Sequence, residues 1–398
     1  MTKRWKLRLA SVLFALVAAT LIFEIGLRAA GISSPNLVMP DEYRGFSPRP
    51  GAEGWWRKEG EAYIKINSDG LRDRERSKEK PANTFRVAVL GDSMMEALQV
   101  PLEETASAIM EQRLQECGTL SGRKVEVINF GVSSYGTAQE LLTLRHKVWD
   151  YSPDLVLLAF TTSNDIKDNS RALAQDPDLR AYFIYQDGKL VPDMSFLESD
   201  RFRRQQSFVG KFLFWLKDHS RIVQAVNSMR SALRARREAN DQKSVDAYNF
   251  VYREPGDPVW NEAWRVTEGT VVMMRDEVEK KGASFMVATL SNDWQVHPDP
   301  SVRQQFARGL GVAELFYPDQ RIKALGEREG FAVVNLARGF REYAERSKVP
   351  LHGFGHQIGF GHWNLEGNRL TGEALSKAIC ELIEKQTTKS PASLSRSY

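Results

Sequence analysis

Between residues 85 and 384, short apolar runs alternate with stretches of helical period, and this alternation restricts the chain to few folds. Residues 85–90 are apolar without clean polar alternation, the pattern of a strand covered on both faces. Helical spacing follows over 104–116, a second strand over 125–129, a helix over 138–149 and a strongly apolar third strand over 155–160. After a long interruption come a helix over 264–280, strands over 283–290 and 331–336, and a closing helix over 365–384. Strands alternating with helices predict an α/β fold with a mostly parallel sheet and right-handed crossovers.

The chain has 398 residues, 42% hydrophobic and 27% charged, the balance of a folded soluble protein and not of a multi-span membrane protein. A net charge of +4 is too weak to call for nucleic acid, and none is expected as a partner. The two cysteines, Cys117 and Cys380, lack metal-site spacing. They form either a disulfide in an oxidising compartment or two buried free thiols. The six histidines, His146, His219, His297, His352, His356 and His362, make the search for a catalytic base short.

The chain opens MTKRWKLR and then runs from Leu9 to Phe23 without a charge. A membrane-spanning helix needs ~20 apolar residues and a signal-peptide core ~7–15, so this run lies at the border. Glu24 interrupts it, Ile25, Gly26 and Leu27 extend it, and Arg28 can snorkel. The leading basic residues place the N-terminus in the cytoplasm and the rest outside. With no small-x-small cleavage site after Phe23, the reading is a cytoplasmic tail (1–8) and an uncleaved signal anchor (9–30), with the catalytic domain on the periplasmic side. A cleaved signal peptide and a buried N-terminal helix are the alternatives, the last disfavoured by the flanking Lys and Arg. Residues 31–80 read as a linker or extended wrap with one short strand over 62–67, ended by the Asp69-Gly70 turn signal. The main domain is expected over 81–388 and a flexible tail over 389–398. Its alternation breaks at about 168–259, an Arg-rich helical insertion. That insertion is expected as a lid packed on the body. The alternative is a basic, aromatic helix at a membrane surface or on an anionic glycan.

Active groups in parallel sheets gather at the carboxyl ends of strands. Ser93, in Gly91-Asp92-Ser93, follows the first apolar strand and falls at a helix start, where free N–H groups can stabilise an oxyanion. Gly131, in "INFGVSSYG", can bring its N–H close to a ligand. Asn164, in "TTSNDI", can donate an amide N–H to developing negative charge. His362, in "GHWNLEGNRL", precedes the closing helix and is the candidate base. Each alone also fits a turn or a helix cap.

Together these four blocks resemble the SGNH, or GDSL-type, hydrolases, over residues 85–382 apart from the insertion. The resemblance implies a flavodoxin-like three-layer α/β/α domain that attacks acyl esters without metal or organic cofactor. Ser93 would be the nucleophile and His362 the base, with an oxyanion hole from Ser93, Gly131 and Asn164. Two positions depart from the pattern. Thr162 stands where a glycine usually precedes the Asn, and Gly359 where the family places the Asp that orients the histidine. Either a backbone carbonyl replaces that acid, giving a dyad, or a carboxylate reaches in from elsewhere. Glu366 is expected to point away, and His352 and His356 to lie in a polar loop. The functional reading is a membrane-anchored esterase on acyl, chiefly acetyl, esters of cell-envelope or extracellular carbohydrate, the substrate being an acylated small molecule or polysaccharide. The alternatives are an O-acyltransferase with the same site and a non-catalytic glycan-binding scaffold, the latter motivated by Gly359. The sequence leaves the oligomeric state open.

Overall fold

A computed structural model describes residues 3–34, 36–238 and 250–389; most of the expected C-terminal tail lies outside the described residues. Helix α1 (Lys3–Ala29) is long and apolar enough to cross a membrane, and none of its apolar window is buried. Residues 3–8, expected as a tail, continue this helix.

The segment expected as a linker is folded. Strands β1 (Val38–Asp41) and β2 (Gly45–Pro48) pair antiparallel, as do β3 (Glu53–Trp56) and β4 (Ala62–Lys65). Asp41 Oδ1 accepts the turn N–H groups of Tyr43 and Arg44 at 2.9 and 2.8 Å, which closes the first hairpin. Leu37, Ala52, Ala62, Ile64, Ile66 and Leu98 bury a small core beneath both.

Five parallel strands form the central sheet. They are β5 (Thr84–Gly91), β6 (Lys124–Asn129), β7 (Leu155–Thr161), β10 (Ser284–Leu290) and β11 (Ala332–Asn335), in the order β11-β10-β7-β5-β6. Alternate residues of β5 face opposite sides, as the period of a strand requires. Ala88 and Leu90 join one core with β7's Val156, Leu158 and Phe160, under α4 (Thr137–His146) and the helix Pro258–Lys280. Val87 and Val89 join the other with Leu155, Leu157 and Ala159, under α3 (Ala106–Gln115) and the helix Leu365–Lys389. This is the expected three-layer α/β/α arrangement. Strand order reverses at the β5–β7 boundary, because β6 is added on one side of β5 and β7 on the other, and such a switch point opens a crevice at the carboxyl ends. Two short helices start there, α2 (Ser93–Glu96) after β5 and α5 (Asp165–Asp168) after β7.

The insertion is not purely helical. It begins with a hairpin, β8 (Tyr182–Gln186) and β9 (Lys189–Asp193), turned by Asp187 and Gly188 at φ 50° and 76°. Asp-Gly between alternating residues is a hairpin signal that the basic composition obscured. Helices α6 (Asp200–Gln206), α7 (Phe208–His219) and α8 (Arg221–Glu238) follow. Phe183, Phe196 and Phe202 of the insertion join the main core, as a segment packed on the body would, whereas α7 buries none of its residues. Cys117 and Cys380 are joined in a disulfide across 263 residues, which answers the choice between bridge and free thiols.

Candidate active site

Ser93 is the first residue of α2, so its N–H has no intrahelical acceptor. Asp92 caps that helix, with Oδ1 accepting from Met94 N at 2.9 Å. Arg72 holds the other end: its buried guanidinium donates to the carbonyls of Glu96, Ala97 and Val100. Burial pushes the Arg72 pKa down to about 10 despite the nearby charges of Glu96 and Glu103. The helix that carries Ser93 is thus clamped by a residue of the N-terminal lead.

Ser93 Oγ lies 2.9 Å from His362 Nε2. On the other side of the ring, His362 Nδ1 lies 2.5 Å from Glu59 Oε2, and His362 N donates to Glu59 Oε1 at 2.8 Å. An acid therefore orients the imidazole, and it comes from the β3–β4 turn, 303 residues away in the chain. With Glu59 accepting from Nδ1–H, Nε2 carries the lone pair that faces Ser93. Burial opposes the Glu59 charge, but the hydrogen bonds and charge of His362 outweigh it and hold the carboxyl below its ordinary range. Burial likewise opposes His362 protonation. The Glu59 hydrogen bond and charge, with the charges of Asp92 and Asp293, outweigh it and raise the His362 pKa above its ordinary 6.5.

Glycines make room for this acid. Gly361, at φ 94°, would place a Cβ 2.5 Å from Glu59 Oε1. Gly359, at φ 97°, would place one 2.9 Å from His297 Nε2. The position where an Asp was expected thus has left-handed backbone and a ring against it, and Glu59 occupies the role instead. No spacing or periodicity marks Glu59 in "WWRKEGEAY". Glu366 points away, bonded to Arg369 and Tyr343.

Three of the four residues named from sequence, Ser93, Asn164 and His362, line one cavity of about 520 Å³. Asn164 Nδ2 donates to Oδ2 of buried Asp92, and Thr161 Oγ1 donates to its Oδ1. An amide nitrogen has two N–H groups, so one remains for a ligand. Burial pushes the Asp92 pKa up, against the pull of its hydrogen bonds.

Gly131 is a correction. Its N–H donates to Asn129 Oδ1 at 2.9 Å, and it does not line the cavity. Its Cβ would meet Met95 Cβ at 2.7 Å and Glu96 N at 2.9 Å, so the glycine serves the close approach of α2 to its block. From that block Ser133 and Ser134 reach the cavity, Ser134 in left-handed backbone at φ 65°. His352, expected in a polar loop, is buried in the wall; its Nδ1 lies 2.7 Å from Gly361 O and braces the segment that carries His362. Thr162, the other departure, accepts from Asn292 Nδ2 at 2.7 Å within the buried wall. No group suited to holding a metal ion occurs among the described residues.

No family model and no curated protein matches the sequence. Among solved structures, the acetyl xylan esterase AlAXEase aligns at 12% identity and a TM-score of 0.36, over 74% of this chain and all of that one. A catalytic mutant of Axe2, an acetylxylan esterase from Geobacillus stearothermophilus, aligns at 12% and 0.37, over 75% and 94%. A protein described as lipolytic and of the G-D-S-L family, from Desulfitobacterium hafniense DCB-2, aligns at 11% and 0.34, over 74% and 98%. The chain is similar to these proteins at a distance.

Proposed function

We propose that this protein is an SGNH-type serine esterase with a Ser93–His362–Glu59 triad. The observation that carries the reading is the continuous chain from Ser93 Oγ to His362 to Glu59, at 2.9 and 2.5 Å, opening on a cavity. Ser93 Oγ attacks the ester carbonyl carbon as its proton passes to His362 Nε2. The Ser93 N–H and the Asn164 amide face the oxygen that gains the negative charge. The tetrahedral adduct collapses, the C–O bond to the alcohol breaks, and His362 returns the proton to the departing oxygen. Water then gives a proton to His362 and attacks the acyl-serine, which releases the acid and restores Ser93. An acceptor hydroxyl in place of that water makes the same site an O-acyltransferase. The scaffold reading rested on the missing acid at 359, and Glu59 removes its motive.

Trp56, Trp294, Gln99, Gln175 and Asn292 in the cavity wall suit a hydroxylated, carbohydrate-like alcohol better than a long acyl chain. The test is labelling by a fluorophosphonate together with turnover of 4-nitrophenyl acetate. Wild type is expected to do both and Ser93→Ala neither. Failure of wild type in both assays sinks the reading.

The same reading keeps α1 as an uncleaved anchor with the domain outside the cytoplasm. The Cys117–Cys380 bridge suits an oxidising compartment. Glu24 of α1 accepts the first N–H groups of α8, from Arg221 and Ile222, at 2.9 and 3.1 Å, and Arg28 donates to His219 O at 2.6 Å. Both residues follow Phe23 in the chain, so these contacts fix where the end of α1 meets α8. Beside that junction α7, which also carries Lys211 and Lys217, exposes Phe208, Val209, Phe212, Leu213 and Trp215. That composition fits a helix lying in the lipid headgroup layer where α1 leaves the membrane.

A further inference from the structure

The charges lining the cavity are unevenly placed. On the His362 side stands Asp293, which accepts from Gly361 N at 2.9 Å, with Glu59 behind the imidazole. On the Asn164 side, among the described residues, stand Lys167, Arg180 and Asp168. Lys167 Nζ lies 3.3 Å and Arg180 Nη1 3.6 Å from the same Asp168 oxygen. The Arg180 distance is beyond hydrogen-bond reach. The Arg180 side chain is only 4% exposed, and its buried Nε and Nη1 have no hydrogen-bond partner. A guanidinium held out of water without acceptors is costly, and an arriving oxyanion offsets that cost. Its planar fork matches a carboxylate or a phosphate by paired N–H donation.

We infer that Arg180, with Lys167 beside it, forms an anion subsite in the ester cavity, so that the substrate is an acidic acylated carbohydrate bearing a carboxylate or phosphate near its ester. This rests on the esterase reading for the ester and on Arg180 for the acid. The ester carbonyl would meet Ser93 and Asn164 while the charged group pairs with the guanidinium. The negative wall of Glu59 and Asp293 would reject the reverse orientation.

Three probes of one size separate the possibilities, assayed on the full-length protein in detergent. They are an O-acetylated methyl glucuronoside, its uncharged carboxyl methyl ester, and an O-acetylated methyl glucoside 6-phosphate. Deacetylation of a charged probe is expected to exceed that of the methyl ester by about tenfold to a hundredfold in kcat/KM, the range of a charge-assisted pair, chiefly through KM. The preferred charged probe identifies carboxylate or phosphate as the partner. Arg180→Gln should bring the charged-to-neutral ratio close to one, and Arg180→Lys should retain part of it. The wild-type comparison needs no variant, so poor folding of Arg180→Gln leaves the inference testable. Turnover of 4-nitrophenyl acetate without preference for either charged probe overturns the subsite and spares the esterase. If wild type turns over nothing, the esterase reading fails. Calorimetric binding of the deacetylated glucuronoside against its methyl ester then decides the subsite alone: equal affinity overturns it.

Discussion

At the scale of single residues, the site turns on a glutamate that the histidine motif does not contain. Glu59→Gln keeps the size of the side chain and removes the charge, so the fold should persist while kcat falls by about 10²–10⁴-fold, the range for losing a triad acid. The pH profile gives a second readout. In the proposed mechanism His362 must be unprotonated to act as base, so activity is expected to rise with pH through its pKa. Glu59 raises that pKa above 6.5. Without it, the acidic limb of kcat/KM should move to lower pH; a limb that stays in place or moves up would contradict the assignment. Gly359→Asp, added to Glu59→Gln, should not restore activity. The new side chain would need left-handed backbone at φ 97° and would strike His297. Recovery to more than a few per cent of wild type would show that the acid can return to that place.

At the scale of elements, the β-α alternation was legible because each strand of the central sheet is covered on both faces and each helix on one. Burial is complete along β5 and β7, and their uninterrupted apolar runs record it. Ser93, Asn164 and His362, which line one cavity, stood out in the sequence because strand ends concentrate polar groups after such runs. Glu59 was not, since a turn between two four-residue strands carries no period, and what gives it a role is contact with a segment some 300 residues later. Gly131 misled for a related reason: glycine signals close approach, but sequence does not say whether a ligand or a neighbouring helix approaches. Helix α7 belongs to this scale too. With Phe208 85% and Trp215 52% exposed, it is predicted to rest against lipid. In vesicles containing brominated lipid, full-length wild type should lose more tryptophan fluorescence than Trp215→Phe does. Equal quenching of the two would place α7 in water.

At the scale of the whole molecule, the parts of the site come from chain segments far apart, and a few long-range ties keep them in register. Arg72 fastens the lead to α2. At the other end, the helix Leu365–Lys389, which begins just after His362, is tied once to the start of α3 and once to the turn just beyond its end. Near its start Asn368 Oδ1 accepts from Ala106 N at 3.1 Å in a buried setting, and further along the disulfide joins Cys380 to Cys117. The bridge closes a loop of 263 residues, so opening it frees much chain entropy in the unfolded state. Reduction, or Cys380→Ser, should therefore cost about 2–5 kcal/mol of stability, seen as a Tm lowered by several degrees. The two ties predict different effects on catalysis. Asn368 sits six residues from His362 and the bridge eighteen, on the far side of four helical turns. Below the unfolding transition the reduced protein should keep kcat within about twofold, whereas Asn368→Ala, which leaves the Ala106 N–H without an acceptor, should lower kcat as well as Tm. If reduction costs activity in proportion to stability, the His362 segment is held by the covalent tie and not by its local hydrogen bonds.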